Sequence, residues 1–403
     1  MASPYELNLR HLRGLLAIQE LGSVSAAAAA LSLSQPALTQ GLVKLEMLLG
    51  HVLFERRPDG MLITGSGELL VARVRAAVTH LRTAIRQLGV EAHEPERRLS
   101  MTQLRALLAL VQTGSFAAAA IQAESSQTAM HRAVRDLENV VQKKLVERRG
   151  RSVHVNFAGR RFARSVRLAV HEIEAAFSEL GIDPGNPIIA LGTTPLTRAF
   201  LTPEAMAMMV AEKFPAGFQV SEGSWGELVE LLRDGAIDLI VGELSDFESP
   251  DLAKTALYDE SLVIVAGKQH PLVGKRPPSL AELARYPWIV SPDVSPLRAE
   301  WERLFPVDMR PNAPIECGSI MIIGRLLTSS DLLTLATPDQ VALQIRSGLL
   351  SRVGQPLTER NYTVGITMRQ SWRPTVAQRR FIQALREVAS AGRQNTHVSA
   401  DWV

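Results

Sequence analysis

The stretch LRGLLAIQELGSVSAAAAALSLSQPALTQGLVKLE, residues 12–46, is answered by LRALLALVQTGSFAAAAIQAESSQTAMHRAVRDLE, residues 104–138. The offset of 92 runs without a gap through Gly22/Gly114, Ser34/Ser126, Gln35/Gln127, Glu46/Glu138, Arg56/Arg148, Arg57/Arg149 and Gly67/Gly159. Two copies do not make a solenoid; they predict two small domains of one design.

Each copy reads as short helices divided by caps. Leu9, Leu12, Leu16 and Ile18 give a mostly helical apolar period. Gly22 can end that helix with a positive φ, and Ser23 can cap the next. Ala26–Leu31 is a short helix of small residues that lets another backbone approach closely. Ser34 is an N-cap, Pro36 is tolerated in the first turn, and the third helix runs to about Leu49 before Gly50. Its Leu42, Leu45, Leu48 and Leu49 point inward, leaving Thr39, Gln40 and Lys44 on another face. Leu53–Arg57 and Met61–Thr64, joined through Pro58–Gly60, read as a two-stranded wing; Leu145–Arg149 and Val153–Asn156, joined through Gly150–Ser152, repeat it. Any single pattern of this kind could be an ordinary helical hairpin. Its recurrence, with a wing each time, favours a helix-turn-helix.

Charge separates the chain into two parts. Of 403 residues with a net charge of +3, residues 1–92 carry +2, residues 93–180 carry +5 and residues 181–403 carry −4. A basic half joined to an acidic one suggests a nucleic-acid-binding part fused to another activity. The single cysteine, Cys317, excludes an intrachain disulfide framework and multi-cysteine metal sites, and it suits a reducing cytosol. No secretory signal is legible in residues 1–30, and no apolar stretch reaches membrane-spanning length.

GSVSAAAAALSLSQPALTQGLVKLEMLLGHVLFERR followed by LITGSGELL resembles the winged helix-turn-helix signature of LysR-type transcriptional regulators. The second copy keeps GSFAAAA, SSQTA, DLE and LVERRGR. It departs where Thr128 replaces Pro36 and where Val141–Gln142 stands in place of the family's leucine-glycine. Its HRAVRDLE resembles the subfamily typified by the galactose-binding-protein regulator. The family normally has one such domain per chain, so two is a departure. Apolar helical runs follow each copy, Ser66–Leu88 and Ala158–Leu180. In the family the corresponding helix pairs two chains. The second run is expected to do so here, the alternative being that it only covers its own wing.

Beyond a Pro/Gly break at Asp183–Pro187, apolar strand candidates alternate with helices. The strands are Ile188–Leu191, Phe218–Glu222, Ile237–Val241, Leu262–Gly267, Trp288–Val290, Ile315–Cys317, Leu332–Ala336 and Tyr362–Met368. Pro203–Phe214 is helical, and Ser224–Glu227 is a capping box opening a helix that ends at Asp234–Gly235. The alternation predicts parallel sheets with helices on both faces. RDGAIDLIVG (233–242), HPL (270–272), PDQV (338–341) and SWRPTVAQRRFIQAL (371–385) resemble the LysR-type effector domain, a two-lobed, periplasmic-binding-protein-like fold.

The expected architecture is therefore multidomain: two all-α winged helix-turn-helix domains followed by a two-lobed α/β effector domain. The boundaries are 1–65 for copy one, 66–98 for helix and linker (the linker itself being Gly89–Arg98), 99–157 for copy two and 158–184 for a dimerisation helix. The effector domain is 185–393, with lobe one about 185–268 and 356–393 and lobe two about 269–355, before a tail, 394–403. The expected DNA-facing residues are Ser34, Gln35, Thr39, Gln40 and Lys44 in copy one and Ser126, Gln127, His131, Arg132 and Arg135 in copy two. Arg56, Arg57, Arg148, Arg149 and Arg151 on the wings should meet phosphate.

Ligands of such α/β folds sit beyond the carboxyl ends of strands, between the lobes. That points to Thr193, Thr194, Glu222, Ser224, Ser291, Gly318, Ser319 and Met321. Hydroxyls and free N–H groups at helix starts suit a carboxylate or a polyhydroxylated ligand. Thr194, Ser224 and Ser319 could equally be plain N-caps.

Catalytic motifs are missing: there is no GxSxG elbow, P-loop or GxGxxG, and the nine histidines are scattered without metal-ligand spacing. Cys317 reads as a sensor thiol or, more ordinarily, a small buried hydrophobe. The expectation is a cytoplasmic, nucleoid-associated regulator with no enzymatic activity, cofactor, metal or membrane partner. Its partners would be double-stranded promoter or operator DNA, a sugar or small carboxylate effector, further copies of the chain as a homodimer or homotetramer, and RNA polymerase if it activates.

Overall fold

The structure, a computed structural model, describes residues 3–58, 60–90, 95–149, 152–182, 185–293 and 295–398. The chain divides into two compact units, Met1–Asn186 and Pro187–Val403.

In the first unit, α1 (Leu9–Leu21), α2 (Val24–Ala30) and α3 (Gln35–Leu49) precede the ribbon of β1 (Phe54–Arg57) and β2 (Gly60–Ile63) and the long helix α4 (Gly65–Gln87). The plan repeats as α5 (Met101–Thr113), α6 (Phe116–Gln122), α7 (Gln127–Val141), β3 (Val146–Arg149), β4 (Ser152–Val155) and α8 (Phe157–Glu179). Gly22 and Gly114 end the first helix of each copy at φ 66° and 71°, and Ser23 and Ser115 cap the next. Gln142 takes the left-handed position that Gly50 fills in copy one, at φ 49°. An L-residue adopts that conformation only at some cost, and here the capping bond from its N–H to the Glu138 carbonyl accompanies it.

One carboxylate per copy ties the third helix to its wing. Glu46 Oε1 accepts from Leu53 N at 2.8 Å, and Glu138 Oε1 accepts from Leu145 N at 2.8 Å. Gly67 and Gly159 then let the long helix start against the wing: a Cβ on either would lie 2.2 Å from the carbonyl oxygen of Leu53 or Leu145.

The apolar stripe of the second long helix, expected to pair two chains, packs inside this unit. Phe162, Val166, Val170, Ile173 and Phe177 of α8 share one core with Leu70, Val74, Val78, Leu81 and Ile85 of α4. The covalent link holds α4 at high effective concentration beside α8. The expected linker is also more than a tether. Pro95–Arg98 forms a 3-10 turn whose Glu96 is buried, paired with Arg82 at 3.1 Å, and gives its carbonyl to Arg13. Residues 91–94 of that linker, Asp59 and Gly150 of the wing turns, and Asp183 of the following break lie outside the described residues.

The second unit is built on one eight-stranded sheet ordered β10-β9-β11-β8-β12-β7-β5-β6. In chain order its elements are β5 (Ile188–Thr193), α9 (Leu201–Ala211), β6 (Gly217–Glu222), α10 (Trp225–Asp234), β7 (Leu239–Glu243), β8 (Leu252–Gly267) and α11 (Leu280–Leu283). Then follow β9 (Trp288–Val290), α12 (Pro296–Leu304), β10 (Ile315–Glu316), α13 (Ile320–Leu327), β11 (Leu333–Ala336), α14 (Pro338–Arg346), β12 (Leu350–Arg369) and α15 (Val376–Val398). The sheet is mixed rather than parallel. β8 and β12 run antiparallel along their whole length, with register shifts, and carry the chain between two lobes. Leu252–Ser261 of β8 is mostly only partly buried, so it lacks the apolar run that marks a strand in sequence. α15 continues to Val398, through the start of the expected tail. Among the described residues no single helix is long and apolar enough to cross a membrane.

Candidate nucleic-acid interface and effector cleft

On α3, Gln35, Gln40 and Lys44 are exposed, while Leu38, Leu42, Leu45 and Leu49 are buried. On α7, Gln127, Arg132 and Arg135 are exposed over a floor of Met130, Val134 and Leu137. Ser34 and Ser126 are N-caps, accepting from Ala37 N at 3.3 Å and Ala129 N at 3.1 Å. Each can still place its helix N-terminus against a phosphate. Thr39 is half-buried and turns its hydroxyl back onto the Gln35 carbonyl at 3.0 Å.

His131 departs from its expected place on the reading face. Its ring stacks on Phe116 of α6, centroids 3.7 Å apart, so it belongs to the packing between the two helices. Arg56 and Arg57 are exposed on β1. Arg148 and Arg149 lie on β3, but their side chains, and all of Arg151, fall outside the described residues. Each copy thus presents an exposed helix face beside an antiparallel ribbon, the plan of a winged helix-turn-helix.

In the second unit the carboxyl ends of β5, β6, β9 and β10 meet between the lobes. Arg198, in the loop after β5, donates from Nη1 to Glu222 at 3.0 Å and from Nη2 to the Gly318 carbonyl of the other lobe at 2.9 Å. Gln340 also crosses, donating to the Pro195 carbonyl at 3.2 Å. Ser319 stands at the start of α13 without a side-chain cap bond, and its N–H points to Cys317 Sγ at 3.4 Å. Met321 is exposed at the same helix start. Ser291 is half-buried, and its carbonyl receives Arg298 at 3.4 Å.

Three expected effector contacts are used otherwise. Thr193 and Thr194 are buried, and their hydroxyls are committed: Thr193 to Thr197 and Thr202 at 3.0 and 3.1 Å, Thr194 to Glu243 at 2.6 Å. Burial pushes the Glu243 carboxyl above the usual carboxylate range, and the Thr194 hydroxyl partly offsets this. Ser224 closes a capping box with Glu227. The threonine hydroxyls of the loop after β5 are therefore turned inward, and the charged side chain it sends toward the other lobe is Arg198. Sequence reading passes over Arg198 because a lone arginine in a loop carries no motif.

A winged helix-turn-helix scaffold, joined to a two-lobed domain with a polar cleft, is the plan of a ligand-responsive DNA-binding regulator. The signature described as "LysR substrate binding domain" matches residues 185–390. That described as "Bacterial regulatory helix-turn-helix protein, lysR family" matches residues 9–68 and again 101–160. The chain belongs to the LysR family: it is a DNA-binding transcriptional regulator with an effector-binding domain. Its similar proteins are named as regulators, not enzymes. It is 27% identical over 386 residues to the HTH-type transcriptional regulator GalR of Pseudomonas putida, covering 94% of this chain and 97% of that one. It is 25% identical over 299 residues to PcaQ of Agrobacterium fabrum, covering 73% and 96%. ArgP of Mycobacterium tuberculosis shares the fold with a TM-score of 0.57 at 19% identity, covering 72% of this chain and 96% of that one. The GalR alignment is thus long enough to take in both repeats, whereas the other two leave over a quarter of the chain unmatched.

Proposed function

We propose that both repeats are winged helix-turn-helix readers of operator DNA, and that a small carboxylate bound between the lobes controls them. The observation that carries the first part is the set of exposed polar residues that α3 and α7 each present on the same capped scaffold. Gln35, Gln40 and Lys44 read in copy one, Gln127, Arg132 and Arg135 in copy two, and the wing arginines hold phosphate. Footprinting tests it. Gln35→Ala/Gln40→Ala and Arg132→Ala/Arg135→Ala should each weaken a different half of the protected region, by roughly 1–3 kcal/mol per lost base contact. A footprint unchanged by either pair would remove that copy from the reading.

Arg198 carries the second part. A guanidinium beside an uncapped helix start suits an anion, which would displace Glu222 from Arg198. Calorimetry against organic acids and neutral sugars decides between the two classes. Binding of a sugar that Arg198→Ala leaves untouched would overturn the carboxylate reading. The α4–α8 pairing leaves assembly between chains to other surfaces.

A further inference from the structure

The seam between α4 and α8 holds a buried, one-directional ion cluster. Arg73 of α4 donates to Glu172 at 3.0 Å and to both oxygens of Glu179 at 3.0 and 2.8 Å. The three side chains are only 6%, 8% and 10% exposed, so the cluster lies in the low-dielectric seam. The repeat offset shows that it has no mirror image. The position matching Arg73 in copy two is Ser165, and those matching Glu172 and Glu179 in copy one are His80 and Gln87. An α8–α8 pair would bury four carboxylates against serine, and an α4–α4 pair would bury two arginines against histidine and glutamine. Burying a charge without its counter-charge is strongly unfavourable, so the cluster selects the mixed pair.

The N-terminal turns of the copies are exchanged around the same seam. Pro4–Glu6 of copy one packs on α5 and α8, with the Arg105 guanidinium 5.4 Å from the Tyr5 ring centre. Pro95–Arg98 of copy two packs on α4 and is held by Arg13 and Arg82. Arg13 and Arg105 occupy matching positions of the repeat. The first unit is thus a two-fold pair made from one chain, with unlike halves.

The reading faces differ as well. Where α3 has Gln40, Val43 and Met47, α7 has Arg132, Arg135 and Asn139. Val43 and Met47 are exposed, 47% and 79%, so the first face is amide and apolar and the second cationic. Arginine pairs with guanine, glutamine with adenine, and apolar side chains meet the thymine methyl.

Resting on the reading that both copies bind DNA, we propose that one chain is a complete heterotypic reading pair. The partner it fits is an operator of two unlike half-sites, one guanine-bearing under α7 and one rich in adenine and thymine under α3. A chain of this kind needs no second copy to engage both half-sites and cannot be symmetric on them.

The test has two arms. Selection of binding sequences from a randomised duplex pool by the full chain should return non-palindromic sites. Palindromes would overturn the proposal. In the second arm, Arg73→Glu and Glu172→Arg/Glu179→Arg are made on separate chains and also combined on one chain. Each separate chain should lose at least about tenfold in affinity for the selected site, the combined chain should recover it, and a mixture of the two separate chains should not. Recovery by mixing would show that the seam forms between chains, and separate chains binding like the parent would show that the seam does not select; either overturns the proposal. Should the combined chain fail to fold, the selection alone decides. If Arg132→Ala/Arg135→Ala leaves the selected sequence unchanged, the two-reader reading fails, while the mixing result still reports on the seam.

Discussion

Replacing Glu138 by alanine should unfasten the second wing from its reading helix. Glu138 Oε1 accepts from Leu145 N at 2.8 Å and Val146 N at 3.2 Å, and Oε2 accepts from Lys144 Nζ at 2.9 Å. The Glu138 side chain is 6% exposed, so water cannot readily replace it. A hydrogen bond to a charged group contributes about 1.5–3 kcal/mol, and a stranded buried donor costs about 1–3 kcal/mol. These describe overlapping parts of one loss, and the second backbone bond is long, so we take roughly 3 kcal/mol for Glu138→Ala. Glu138→Gln keeps an acceptor oxygen and should cost about 1 kcal/mol. Glu46→Ala should fall between, because Glu46 is less buried and makes its bonds to Leu53 N and Phe54 N at 2.8 and 3.3 Å.

The chain provides its own assay. All five tryptophans, at 225, 288, 301, 372 and 402, follow the first unit, so tryptophan fluorescence reports the effector unit. The far-UV signal adds the helices of the first unit. For a unit of this size, roughly 3 kcal/mol lowers the melting midpoint by about 6–12 °C. That shift should appear in the far-UV melt and not in the fluorescence melt. A shift below about 2 °C for Glu138→Ala, or a glutamine variant as damaged as the alanine variant, would refute the account.

Gly159→Ala should cost about 1–3 kcal/mol or more, because the added Cβ meets the Leu145 carbonyl at 2.2 Å; Gly41→Ala should be milder, since its nearest neighbour is the movable His11 ring at 2.7 Å. Paired calorimetric scans compare them. Burial and the negative charge of Asp339 push Glu260 up to about 8 from 4.5. The folded protein therefore holds a proton that the unfolded chain releases. The contribution of Glu260 to stability is full below pH 4.5 and is lost up to about pH 8, by at most about 1.4 kcal/mol per pH unit. Urea midpoints read by tryptophan fluorescence should fall from pH 6 to 8 in the parent and change little in Glu260→Gln. Thr194→Ala should destabilise the effector unit by about 1–3 kcal/mol by stranding Glu243, and should alter effector affinity less than Arg198→Ala does. Equal losses of affinity in the two variants would place Thr194 in the cleft after all.

What the sequence determined alone is what short-range chemistry determines. The repeat, Gly22 and Gly114 at helix ends, Ser34 and Ser126 at helix starts, and the polar faces of Gln40 and Arg132 depend on neighbours within a few residues. Their reading needs no knowledge of the fold. Tertiary structure decided the rest, because the partners lie far apart in sequence. Nothing near Phe162 or Val166 says that their stripe meets α4 rather than another chain. Nothing near Arg73 places Glu172 and Glu179 against it, about a hundred residues on. The Phe116 ring that takes His131 off the reading face comes from the preceding helix. The hydroxyls of Thr193 and Thr194 look available in a strand-end loop until Thr202 and Glu243 are brought to them. Leu252–Ser261 of β8 and Leu350–Asn361 of β12 carry too little apolar pattern to be strands by themselves, and each becomes a strand by pairing with the apolar part of the other.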